Sequence, residues 1–326
     1  MPSGSRLLVA SAAATRLAAA ADWLDAHSPD VEILVVGPSW EAADGLVRAA
    51  AARALARFGT TRLTLDRLAA RLAAPILARA RRTPASGLSL TAVAARAVHL
   101  LLAKGALSYF VPVAKRPGFP SAVARTLEEL RMNGVGTEAL RGLPDGGADL
   151  AALAACVESE LDRAKLADRA AIFAAASESA AGTPPPPYVG LPLLLLDLPI
   201  ASTREAALLG ALVRRAPAVL ATAAAGDERT TAVLESTLGC TRHLAALPPV
   251  PANSLAAAQA HLFQDSAPPV AALDGTVTLR SWPGEARECV EIARGIRAAA
   301  ARGVPFDRIA VFLRSPAEYR AHLPEA

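Results

Sequence analysis

The sequence predicts an α/β protein built on a parallel sheet, and three observations lead there. Short, almost uninterrupted apolar runs bounded by turn residues recur along the chain, the pattern of strands buried on both faces. Most are followed by a segment of helical periodicity, and such alternation gives a doubly wound sheet. Between residues 62 and 182 the strand signal disappears, so the sheet carries one long excursion predicted to be all-helical.

The strands are expected at 6–10 (RLLVA), 31–37 (VEILVVG), 192–198 (PLLLLDL), 218–223 (AVLATA), 276–281 (TVTLRS) and 308–314 (RIAVFLR). After the second, residues 40–57 place Ala43, Leu46, Val47, Ala50 and Ala54 on one helical face, with Ser39 as N-cap. In the excursion, helices are expected over 64–81, 89–104, 119–132, 148–164 and 166–180. Pro112, Pro117, Gly118 and Pro120 interrupt them, and Leu143–Gly147 makes a second break. The GTPPPP tract at 182–187 is a stiff linker back to the sheet. A helix over 285–300 turns Cys289, Val290, Ala293 and Ile296 inward and Glu285, Glu288 and Glu291 outward. At 326 residues, one large insertion-bearing domain or two domains are expected. The division is an α/β domain made of 1–61 and 183–246, the helical insertion 62–182, a proline-rich linker 247–275, and the start of a second domain at 276–326. The chain stops at Ala326, one strand into what is expected to be a larger unit, as a fragment of a longer protein would.

Hydrophobic residues make up 53% of the chain, but aromatics only 4%, and alanine supplies much of the rest. The mean hydropathy of +0.32 therefore reflects helix-rich soluble protein rather than a membrane span. Residues 7–24 are broken by Arg16 and Asp22, which argues against a span, and Arg6 as the only upstream charge before a mostly alanine run argues against a leader. Cys156, Cys240 and Cys289 are odd in number and far apart, and the five histidines are scattered, so no metal site is expected and a reducing cytoplasm fits. The net charge of +4 permits a nucleic-acid partner without requiring one.

Lysine usage excludes two chemistries. A P-loop needs Gly-Lys-Ser/Thr, because the ammonium neutralises the transferring phosphates and the hydroxyl holds magnesium. Lys104, Lys115 and Lys165 are the only lysines, and they precede Gly105, Arg116 and Leu166. A metal-dependent nuclease core of the PD-(D/E)XK type needs an acidic residue two positions before its lysine, where this chain has Leu102, Val113 and Arg163.

Six local patterns nevertheless fall in a familiar order. Val9 through Arg16 form a first strand and turn in which Ala12 and Ala13 stand for phosphate-cradling glycines, Ala14 for the lysine, and only Thr15 matches. Gly37-Pro38-Ser39 opens the helix after the second strand, and Thr61 through Leu68, with Arg62 and Thr64, are like a T-x-H-S-L segment, with Leu63 and Thr64 in the places of its His and Ser. The apolar run Leu193–Asp197 is like a Walker B strand whose second carboxylate is replaced by Leu198. Gly226-Asp227 is like a coupling turn without its glutamine, and Ile309–Arg314 like the opening of a second helicase domain. This order resembles superfamily 1 helicases of the UvrD/RecB type, and most closely the AddB-like subunits of bacterial helicase–nucleases, in which the helicase fold is partly or wholly inactive.

The resemblance implies a P-loop-NTPase-like, helicase-type sheet with a helical insertion, ending at the start of a second helicase-like domain. It implies a degenerate nucleotide pocket at Ala14, Thr15, Asp197, Asp227 and Arg314, with no catalytic residue, metal or cofactor. Ser39, Arg62 and Thr64 are the implied nucleic-acid contacts, meeting single-stranded DNA weakly and without sequence preference. The implied role is a non-catalytic scaffold or DNA guide in double-strand-break repair, beside an active helicase–nuclease partner subunit and away from membranes. In complete members a PD-(D/E)XK nuclease lies at the far C-terminus. Two other readings stay open: a purely structural module packing on a partner, and a nucleotide-binding α/β protein of other chemistry. Taken alone, an alanine-rich helix start explains residues 9–16, and helix caps explain Ser39 and Thr64.

Overall fold

The computed structural model describes residues 4–53, 57–245, 253–261 and 273–326. The inward place expected for Ala54, and much of the expected 247–275 linker, lie outside those residues. The chain forms two compact units, Met1–Leu247 and Pro248–Ala326.

The first unit opens with β1 (Ser5–Ala10), α1 (Ala13–Asp25), β2 (Ile33–Gly37), α2 (Trp40–Arg53), β3 (Thr60–Thr64) and α3 (Leu65–Arg79). The excursion continues through β4 (Thr83–Pro84), α4 (Gly87–Ala103), α5 (Val111–Ala114), α6 (Phe119–Met132), α7 (Thr137–Arg141), α8 (Gly147–Arg163), β5 (Leu166–Ala167) and α9 (Arg169–Ala181). The unit closes with β6 (Leu193–Leu195), α10 (Thr203–Val213), β7 (Val219–Ala224), α11 (Glu228–Leu238) and β8 (His243–Leu244).

Six strands make one sheet in the order β3-β2-β6-β7-β1-β8, and every pairing is parallel. The protein is therefore α/β with a parallel sheet, as the apolar runs predict. Alternation along each strand fills both faces. Ile33, Val35, Leu194 and Leu196 face α1 and α2. Leu34, Val36, Leu193 and Leu195 face the core made with α3, α9, α10 and α11. Each fully buried leucine of this kind contributes about 1.5–3 kcal/mol of transfer free energy.

The excursion is not all-helical, which corrects the sequence expectation. Two strands of two residues each, β4 and β5, pair in parallel apart from the main sheet. They form because α3 and α8 end alike, on non-glycine residues in the left-handed region: Arg81 at φ +53° and Lys165 at φ +54°. The next residues leave extended and side by side, so the Thr83 amide donates to the Lys165 carbonyl at 2.9 Å and the Ala85 amide to the Ala167 carbonyl at 2.8 Å. Elements this short leave no periodicity in sequence. The rest of the excursion has its own core, with Val93, Val98, Leu127, Leu153, Val157 and Leu161 packed between α4, α6 and α8.

The second unit carries α12 (Ser254–His261), α13 (Glu285–Ala301), a 3-10 turn at Phe306–Arg308 and α14 (Pro316–Tyr319). The strands expected at 276–281 and 308–314 do not form among the described residues. The backbone at Ile309 is extended, at φ −113° and ψ 129°. Yet Leu279 is fully exposed and Phe312 93% exposed. An apolar run becomes a strand only where a neighbour accepts its hydrogen bonds.

Candidate functional site

Six of the expected site residues lie along one rim. In a parallel sheet all strands end on the same edge, and ligands of α/β folds bind there. At that edge lie Ala14 and Thr15 in the first turn of α1, Ser39 after β2, Thr64 closing β3, and Asp197 just past β6. Asp227 follows β7 on the same edge. Arg314 is exposed in the second unit.

The closest meeting joins the ends of β1 and β6. The Nε of Arg16 donates to Oδ1 of Asp197 at 2.9 Å, across 181 residues of sequence. Between those strands runs β7, whose Thr222 hydroxyl donates to the same Oδ1 at 2.7 Å and accepts from the Asp197 amide at 3.0 Å. Arg16 also donates through Nη1 to the carbonyls of Ala10 at 2.5 Å and Ser11 at 3.0 Å. Its side chain is 8% exposed and that of Asp197 25%. Asp197 adopts φ +43°, a conformation that aspartate tolerates better than most residues.

This arrangement runs against local electrostatics. Arg16 lies near the N-terminus of α1, where the helix dipole disfavours a cation, and the first turn holds no acidic residue. A buried guanidinium there persists only because three acceptor contacts satisfy it. The sequence expectation names Asp197 but not Arg16 or Thr222 as site residues. The available signal is an arginine interrupting an alanine run directly after a strand.

The residues do not fit a nucleotide with its magnesium. Asp197 Oδ1 is already engaged by Arg16 and Thr222, and Ala14 supplies no ammonium. The carbonyls of Ala10 and Ser11 turn toward the guanidinium, whereas a phosphate cradle presents amide hydrogens.

The other rim residues cap helices. Ser39 Oγ accepts from the Ala42 amide at 3.1 Å, Thr64 Oγ1 from the Arg67 amide at 3.3 Å, and Asp227 Oδ1 from the Thr230 amide at 3.0 Å. Gly37 and Thr64 are register partners, so the two hydroxyl-capped helix starts lie side by side. Beside them, Glu41 is held below its ordinary carboxylate range by a backbone amide and the Ser39 hydroxyl. Arg62 lies two residues short of the rim, with Nη1 on Asp44 Oδ1 of α2 at 2.9 Å. The structure thus brings Ser39 and Thr64 together and holds Arg62 against α2.

Buried charge elsewhere on the edge is also paired. Glu205, 5% exposed, closes a capping box with Ser202 and accepts from Arg169 at 2.8 Å. A cleft of about 220 Å³ beside Ser5, Leu7, Leu220, Thr241 and His243 flanks β1 along its length and does not include the converging rim residues. Among the described residues no group of three or more His, Cys, Asp or Glu is placed to hold a metal ion, and no helix is long and apolar enough to cross a membrane. No protein-family model matches the chain, and no curated protein matches it.

Proposed function

We propose that the chain is a catalytically silent, helicase-like module of a double-strand-break-processing helicase–nuclease. It serves as a scaffold and single-stranded DNA guide in the cytoplasm, beside an active helicase–nuclease partner subunit. The observation that carries this reading is the Arg16–Asp197 contact. It joins the turn that resembles a P-loop to the strand end that resembles Walker B, and this supports a helicase-type P-loop origin for the sheet. The same contact supports the silent half of the reading, because the protein's own guanidinium takes up the carboxylate that would otherwise serve magnesium.

The guide role rests on the paired helix starts at Ser39 and Thr64. Helix N-termini and hydroxyls suit phosphate oxygens rather than base edges. A scaffold-only reading has its own support, since Arg62 is engaged by Asp44 and both hydroxyls are engaged as caps. The two separate in a fluorescence-anisotropy titration of an oligothymidine at two salt concentrations. Binding that weakens by roughly 0.7 log units per log unit of salt for each phosphate neutralised, and weakens again in Arg62→Glu, supports the guide. No binding at low salt, or binding that ignores the charge reversal, leaves the scaffold.

A further inference from the structure

The chain's charge is unevenly placed. Of its 34 lysines and arginines, ten fall within residues 67–127, a stretch without one aspartate or glutamate; the remaining 24 share the chain with all 30 acidic side chains. Two of the three lysines, Lys104 and Lys115, lie in that stretch, with Arg116 beside the second. All three are exposed and make no salt bridge among the described residues.

Along the chain between these cations, and at Leu143, apolar side chains are exposed. Tyr109 is 56% exposed, Val111 and Val113 45% each, and Leu143 51%. Tyr109 and Leu143 converge on the turn before α8. A Cβ placed on Gly146 would come within 2.6 Å of the Tyr109 ring, and one on Gly147 within 2.9 Å of Leu143 Cβ. Asp145 is the one carboxylate in that turn.

The patch is rigidly presented. Asp149, 4% exposed at the start of α8, accepts from the Ser108 amide at 2.9 Å, the Ser108 hydroxyl at 3.2 Å and the Phe110 amide at 3.0 Å. Phe110 packs on Phe119 at 5.5 Å between ring centres and roots the segment in the helical core. Large apolar side chains held outward on a fixed loop lose little entropy when covered, which is what a binding surface requires.

We propose that residues 104–116 with Leu143 form a docking surface for an acidic, apolar-bearing segment of a protein partner, its apolar side chains covering Tyr109, Val111, Val113 and Leu143 and its carboxylates meeting Lys115 and Arg116. Charge complementarity selects an acidic occupant. The aliphatic side chains select protein over nucleic acid, since a base needs aromatic faces to stack on and only Tyr109 offers one here. Tyrosine and arginine are the residues most often dominant at protein interfaces. The proposal does not depend on whether the sheet rim binds DNA.

The test titrates the full chain with three labelled probes: a peptide alternating glutamate and leucine, a polyglutamate of equal length, and an oligothymidine. The alternating peptide is expected to bind better than polyglutamate. Tyr109→Ser is expected to weaken it at least about fivefold, and Lys115→Glu with Arg116→Glu about tenfold, with unchanged melting of the protein. These side chains are exposed, so the variants fold. Failure of the alternating peptide to bind, equal binding of polyglutamate, or binding untouched by the variants overturns the proposal. Oligothymidine binding lost in these same variants also overturns it, in favour of a nucleic-acid surface.

Discussion

Leu193–Leu195 lies between two parallel neighbours and is fully buried, whereas Ile309–Leu313, no less apolar, forms no strand and leaves Phe312 almost wholly in solvent. The same contrast holds for the two units at large. Within Met1–Leu247, strands carry helices on both faces and three clusters of buried side chains form. Among the described residues of Pro248–Ala326, Cys289 is the one buried apolar side chain. The difference teaches that apolar composition fixes what a segment is able to become, while burial depends on partners that close its hydrogen-bond ladder and cover its faces.

The sharpest way to break that comparison is to truncate equivalent side chains in the two units. Leu194→Ala, at a fully buried position, is expected to lower stability by about 2–5 kcal/mol in urea denaturation. Phe312→Ala is expected to change it by no more than about 0.5 kcal/mol. Similar losses from both would mean that the second unit has a core after all.

A smaller effect is expected at the rim. Arg16→Ala removes one donor from Asp197, which keeps the Thr222 hydroxyl, and one from each of two carbonyls, and should cost about 1–3 kcal/mol. A cost within about 0.5 kcal/mol would show that the contact is not integral to the first unit.

The smallest effect concerns pH in the second unit. Asp274 accepts from the Ser254 and Thr276 amides and the Thr276 hydroxyl, which hold its carboxyl down to about 2 from an ordinary 3.8. Because the folded value is the lower one, the stabilisation is complete above the ordinary value and fades as pH falls through about 2. An NMR titration of the Asp274 carboxyl checks this, and a midpoint near 3.8 would show that these bonds do not persist in solution. At the alkaline end, the Glu288 carboxylate accepts from the Tyr319 hydroxyl and pushes its pKa up to about 12. That bond is therefore kept until the pH rises through this value.

Much of the sheet was legible because its central strands are apolar on both faces: 6–10, 31–37, 192–198 and 218–223 all contain strands of the one parallel sheet. The outer strand β3 was not. Its sequence TTRLT buries only Leu63, so it carries no strand periodicity and reads as the approach to a helix. The helix face of Ala43, Leu46, Val47 and Ala50 is buried as its spacing requires, and Ser39 caps it. The site was legible in part. Position along the chain was enough to nominate residues at strand ends, but not to show that Arg16 and Thr222 close around Asp197. Pairings between residues so far apart depend on strand order, which local sequence does not encode. Arg62 was nominated from a linear pattern, and its place on the sheet face, against Asp44, follows from alternation along β3.

We propose that the rim does no phosphoryl transfer because Arg16 holds the Asp197 carboxylate. Phosphate release by the purified chain, with ATP and single-stranded DNA present, tests this most directly. The account predicts release at the buffer background, the same for wild type and Asp197→Ala. DNA-stimulated turnover that disappears in Asp197→Ala would contradict it.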